Sequence, residues 1–302
     1  MLRTVLVLAA LLLLPGKALA DETPSSEAMR NSSIGAPDLS FPSTVSALSE
    51  VTSPRMALFK PEGAGPFPAL VLFHQCGGLG QSKRANVSML DWARRGVEKG
   101  YVVLLIDALD PRGVDTVCYG PKGGVNFPRG IKDTFQAARH LRSLDYVQRD
   151  KVALAGWSWG AMVGLMASRT SWAGALGDGE GFRAIISMYP GCFTIRPKSG
   201  YAFDIAGSDM KVPLLALLGG QDTETPAPEC ETRLGAAKAA GAPVEWHLYP
   251  DATHCWDCRQ LDGFSKVDVR GNNVLYRHDK AVTEDSAQRM FTFLERVMGK
   301  AP

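Results

Sequence analysis

The chain has 302 residues, 45% hydrophobic and 21% charged, with a formal net charge of +2. That balance belongs to a globular protein with a real core and excludes a disordered chain. The Lys and Arg residues are scattered, so no cationic stripe for nucleic acid or polybasic patch for an acidic membrane is present.

In chain order, the first twenty residues, "MLRTVLVLAALLLLPGKALA", carry Arg3, an apolar run over 5–14 and the small-residue site Ala18-Leu19-Ala20. The run is too short to cross a hydrocarbon core of about 30 Å as a helix, so 1–20 reads as a signal peptide. The expectation is an exported protein, periplasmic or secreted, starting near Asp21 and not inserted in the membrane after cleavage. About 280 residues then remain, enough for one large α/β domain. Six cysteines, an even number, favour disulfides in an oxidising compartment, but six allow 15 pairings.

Residues 21–50 are rich in Ser, Pro, Thr and Ala without a sustained period and read as a flexible lead-in, with the domain proper over 51–302. From about residue 55, short apolar runs alternate with amphipathic segments, the pattern of βαβ units. The runs are 68–73 ("PALVLF"), 101–106 ("YVVLLI"), 152–155 ("VALA"), 184–188 ("AIISM"), 212–218 ("VPLLALL") and 244–249 ("VEWHLY"). Most are continuous, as strands buried on both faces of a parallel sheet should be. Helices are predicted over about 83–99, 130–144, 159–170, 228–241 and 280–299. The fold class is therefore α/β, a mostly parallel sheet with helices on both faces.

Chemistry in such sheets gathers beyond the carboxyl ends of the strands. After "VALA" comes Gly156-Trp157-Ser158-Trp159-Gly160, which fits G-x-S-x-G in its required strand–turn–helix setting. A serine there needs a base to take its proton. The chain order nucleophile, acid, base of the α/β-hydrolase arrangement sets aside His74 and His140. His247 falls inside a predicted strand and His278 just before the last helix, whereas His254 lies in a loop after a strand and is the base candidate. Asp222, after "VPLLALLGGQ", is the acid candidate, with Asp204, Asp209 and Asp251 as alternatives. Oxyanion donors are expected from the N–H of Trp159 and from the N–H of Cys76 or Gln75 in the loop after 68–73. Gln75, Arg112 and Trp256 are candidate substrate contacts, with Arg112 suited to a carboxylate and Trp157, Trp159 and Trp256 to an apolar acyl pocket. Cys192 and Cys230 are a candidate disulfide beside the site.

The segments "LFHQCGG", "DALDPRGVDTVC", "RGIKDTFQAARHL", "VALAGWSWGAM", "LLALLGGQD" and "YPDATHCWD" occur in that order. Over about 55–299 the chain resembles the dienelactone hydrolase family of α/β-hydrolases. The resemblance implies a hydrolase of small-molecule esters or lactones with the triad Ser158, Asp222 and His254 and no metal or organic cofactor. Dienelactone hydrolases proper use a cysteine nucleophile and act in the cytoplasm. Ser158 and the leader therefore point to an exported, esterase-like member. Two other readings stand beside it: a hydrolase-fold binding protein without catalysis, and thiol-redox or metal chemistry at Cys255-Trp256-Asp257-Cys258, a C-x-x-C. Oligomeric state and the ester itself are not encoded in any motif.

Overall fold

The computed structural model describes residues 21–80 and 85–301. The expected signal peptide, 1–20, lies outside the described residues. The chain opens with a short helix, α1 (Ser26–Ser32), and an edge strand, β1 (Ala57–Phe59). There follow β2 (Phe67–Phe73), α2 (Val87–Glu98), β3 (Val102–Ile106), α3 (Phe127–Arg142), β4 (Val147–Trp157), α4 (Trp159–Ala167) and α5 (Thr170–Leu176). Then come β5 (Ala184–Met188), the two-residue strands β6 (Thr194–Ile195) and β7 (Phe203–Asp204), β8 (Leu214–Gly219), α6 (Ala227–Ala239) and β9 (Val244–Tyr249). A hairpin of β10 (Ser265–Val267) and β11 (Asn273–Leu275) precedes the last helix, α7 (Lys280–Met298).

Among the described residues the main sheet has seven strands in the order β1-β3-β2-β4-β5-β8-β9. Only β1 runs antiparallel; every other pairing is parallel. The continuous apolar runs explain this. β2, β3, β5 and β8 are buried at every residue, because helices cover both faces. One face carries α3, α4 and α6, with Val71, Phe73, Ile131, Val163 and Leu165 in its core. The other carries α2 and α7, with Leu70, Leu72, Met89, Met290 and Leu294. Each such Leu or Ile contributes about 1.5–3 kcal/mol by leaving water. Local signals set the helix starts: Asn126 caps α3 by accepting from the Arg129 N–H, and Asp279 caps α7 by accepting from the Val282 N–H. No helix among the described residues is long and apolar enough to cross a membrane.

The α/β expectation holds. The segment 21–50, expected as a flexible lead-in, instead contains α1, buries Met29 and is held to the domain by side-chain hydrogen bonds from Arg112, Arg129 and Asn126. Its few apolar residues have no period to betray this; they are laid down by partners supplied from far along the chain. β4 is longer than its apolar run because its first half is partly exposed and polar.

Candidate active site

Ser158 sits in the turn between β4 and α4 with φ at 51°, a left-handed conformation that a side chain seldom adopts. The flanking glycines are steric requirements. A Cβ on Gly156 would lie 2.1 Å from the Gly160 carbonyl oxygen, and one on Gly160 would lie 2.3 Å from the Phe73 carbonyl oxygen. The turn thus wedges the start of α4 against the end of β2, with the Ser158 N–H donating to the Met188 carbonyl at 2.9 Å. The hydroxyl stands at the N-terminus of α4, where unpaired N–H groups favour negative charge.

His254 follows β9 and Asp222 follows β8, so the strand ends deliver both to the same side as Ser158. His254 Nε2 lies 2.9 Å from Ser158 Oγ, and His254 Nδ1 lies 2.7 Å from Asp222 Oδ2. All three residues are buried. Asp222 Oδ1 accepts from the N–H groups of Glu224 and Thr225 at 2.9 and 2.8 Å, and the Thr225 hydroxyl donates to Oδ2 at 2.7 Å. The carboxylate is thus fixed through both oxygens, with Oδ2 shared between the Thr225 hydroxyl and the imidazole. Two of the alternative acids are committed elsewhere, Asp209 to Arg169 and Asp204 to Arg233, and Asp251 is exposed.

Burial pulls the His254 pKa down, but the charges of Asp222 and Glu224 outweigh it and hold the imidazole above its ordinary value. Glu224 Oε2 is 3.8 Å from His254 Nε2 and accepts from the Tyr276 hydroxyl at 2.6 Å, while its Oε1 meets Lys266 at 2.7 Å. Burial pushes the Glu224 carboxyl upward, yet His254 and Lys266 bring it below its usual range.

Behind the imidazole lies a buried polar network. The Tyr189 ring meets His254 edge-on at 4.7 Å between centroids. Its hydroxyl donates to Asp257 Oδ1 at 2.7 Å and accepts from Gln75 Nε2 at 3.0 Å, while Trp92 Nε1 donates to Asp257 Oδ2 at 2.7 Å. Burial raises the Asp257 carboxyl and, with Asp257 alongside, drives the Tyr189 phenol well up.

Several expected contacts are corrected. Arg112 does not face the site: its side chain is buried, bonding both oxygens of Asp133 at 2.6 and 2.8 Å and the Pro37 carbonyl. Trp256 is fully buried between Tyr189 and Tyr249 and donates to Ser286 Oγ. Gln75 points into the network behind His254 rather than toward a substrate. Cys76 and Trp159, by contrast, line the same cavity as Ser158. Glu224, Thr225 and Tyr189 escaped the sequence reading; the run Asp222-Thr223-Glu224-Thr225 after a strand was the available signal, since a turn-forming Asp accepts from amides two and three residues on.

The cysteines form three disulfides: Cys76–Cys118, Cys192–Cys230 and Cys255–Cys258. The second is the pairing expected beside the site. The third closes the C-x-x-C directly after His254. With its sulfurs bonded to each other, Cys255 and Cys258 supply no thiolate to a metal, although Asp257 lies with them.

The profile described as the Dienelactone hydrolase family matches residues 55–298. Two curated proteins named "Putative carboxymethylenebutenolidase" are similar. The Yersinia pestis one is 26% identical over 204 residues, covering 64% of this chain and 70% of that protein. The Escherichia coli (strain K12) one is 25% identical over 252 residues, covering 78% and 79%. The solved structure of a thermophilic esterase from Thermogutta terrifontis with propionate bound superposes with a TM-score of 0.60 at 15% identity, covering 89% of this chain and 97% of that one. At that identity the likeness bears on the fold.

Proposed function

The chain belongs to the dienelactone hydrolase family, and from that premise we propose that it is an exported serine hydrolase that cleaves carboxylic esters or lactones through an acyl-enzyme on Ser158. The observation that carries the reading is the unbroken hydrogen-bond chain from Ser158 Oγ through His254 to Asp222, at 2.9 and 2.7 Å, opening into a cavity. His254 Nε2 takes the serine proton as Oγ bonds to the ester carbon. The tetrahedral oxyanion meets the N–H of Trp159 and that of Cys76, each worth about 2.7–4 kcal/mol in the transition state. Collapse breaks the ester C–O bond, and His254 returns its proton to the leaving alcohol. Water then attacks the acyl carbon, giving a proton to His254, and Oγ leaves with that proton to regenerate the serine. Asp222 holds the imidazole in the tautomer that presents Nε2 as an acceptor and stabilises it when charged. No step requires a redox centre or metal.

The test is a fluorescent fluorophosphonate applied to the mature protein, with the label located by peptide mass spectrometry. Labelling at Ser158, absent in Ser158→Ala, is expected, together with a fall in ester turnover of about 10⁴–10⁶-fold in that variant. A folded, oxidised protein that takes no label would replace this reading with the binding-protein one.

A further inference from the structure

Ser158 opens into a cavity of about 1400 Å³, larger than the roughly 300–1,000 Å³ of ordinary small-molecule sites. One side is an aromatic line that starts at the residue after the serine. Trp159 packs on Phe127 at 6.0 Å between centroids, Phe127 on Phe203 at 6.2 Å, and Phe203 on Trp172 at 5.5 Å. Next to it, packed against α5 and α3, is α1, whose Ala28 and Asn31 line the same cavity. That wall comes from residues before the family-matched region, which begins at residue 55.

The wall is built in rather than draped. Arg129, fully buried, donates from Nη1 to Asp38 Oδ1 at 2.8 Å and to the carbonyls of Ser33 and Ala36. Arg112 caps the Pro37 carbonyl, Asn126 Nδ2 donates to the Ser32 carbonyl at 2.8 Å, and Arg169 Nη2 donates to Thr23 Oγ1 at 2.6 Å. Met29, one residue from Ala28, is 1% exposed and fixes the rotation of α1 about its axis. Three buried guanidinium groups hold one short segment, and that segment borders the cavity.

Resting on the hydrolase reading above, we propose that α1 is the specificity wall of an acyl-binding chamber, and that the preferred substrates are esters of bulky apolar acids, medium-chain or aromatic. The aromatic line begins at Trp159, whose N–H is the proposed oxyanion donor, so the acyl carbon is held where the apolar floor begins. A short acyl group fills only that first stretch. A long one extends along the rings to α1 and removes its own apolar area, and that of the rings, from water.

The experiment compares kcat/KM for 4-nitrophenyl acetate and 4-nitrophenyl octanoate in the wild type, Ala28→Trp and Asn31→Trp. The wild type is expected to favour the octanoate by about tenfold or more, the scale of a few methylenes in an apolar pocket. Each tryptophan should lower the octanoate value by about tenfold while moving the acetate by less than about twofold. Retained acetate hydrolysis also shows that the variant is folded, and Asn31, being exposed, tolerates the change should Ala28→Trp fail to fold. Equal losses on both esters in the folded variants, or no loss on octanoate in either, overturn the wall. A wild type that prefers acetate overturns the substrate class while leaving the hydrolase reading intact. A wild type that cleaves neither ester and takes no fluorophosphonate removes the hydrolase reading and this inference with it.

Discussion

Glu224 brings a second carboxylate oxygen to within 3.8 Å of His254 Nε2, the nitrogen that faces Ser158, while Asp222 occupies Nδ1 from the other side. Burial lowers the imidazole pKa, the two carboxylates raise it by more, and Lys266 opposes them. His254 acts as base only when neutral, so kcat/KM should fall as pH drops through that raised value, with an acid limb above the ordinary histidine range. Replacing Glu224 by Gln removes an anion that favours the imidazolium, so the limb should move to lower pH. A pH–kcat/KM profile of Glu224→Gln that keeps the wild-type limb would show that this carboxylate does not govern the base.

Asp222→Asn tests the other side of the ring. The amide nitrogen can donate to Nδ1 where the carboxylate only accepts, which favours the tautomer with the proton on Nε2, facing the serine. We expect about a 10⁴-fold fall in kcat with the fold retained. Circular dichroism and the rate of fluorophosphonate labelling check the two halves of that statement. A loss below about tenfold would show that the Asp222 carboxylate does not orient the base.

Arg112 and Asp133 form a buried pair, with side chains 1% and 0% exposed. Removing one partner of such a pair costs about 3–5 kcal/mol, because a buried charge loses its counter-ion. Arg129 remains beside Asp133, so Arg112→Met should fall at the lower end, about 3 kcal/mol by urea unfolding. KM for a carboxylate-bearing ester should not rise. A raised KM with unchanged stability would restore the substrate-binding role that the loop position of Arg112 invites.

How much of this was legible in the sequence follows from the range of each interaction. Ser158, Asp222 and His254 each stand just beyond a strand whose apolar run is unmistakable, so strand ends and chain order together led to residues that the structure brings within hydrogen-bond reach of one another. Arg112, Gln75 and Trp256 sit in equally suggestive loops, but which way each side chain turns depends on partners 21, 114 and 30 residues away. No local pattern encodes that choice. Residues 21–50 were misread for the same reason: their order is supplied by Arg112, Arg129 and Arg169, and composition alone lacks the period that would announce it. The β10–β11 hairpin, mostly exposed, carries too little apolar signal to be read as strand.

The disulfides separate stability from catalysis. Cys192–Cys230 spans 38 residues of sequence and Cys255–Cys258 only 3. Constraint of the unfolded chain grows with the logarithm of loop length, giving about 4 kcal/mol for the first and about 2 kcal/mol for the second. Replacing Cys192 and Cys230 by Ala should therefore lower the urea midpoint more than replacing Cys255 and Cys258. Activity should rank the other way. Cys255 directly follows His254, holds φ at 59°, and is tied through Cys258 to the Gln75–Tyr189 network that backs the imidazole. Loosening it should lower kcat while leaving KM nearly unchanged, since the base is displaced and the acyl chamber is not. If instead the Cys258→Ser protein loses all activity while Ser158→Ala keeps it, the chemistry belongs to the cysteine pair and the serine assignment is wrong.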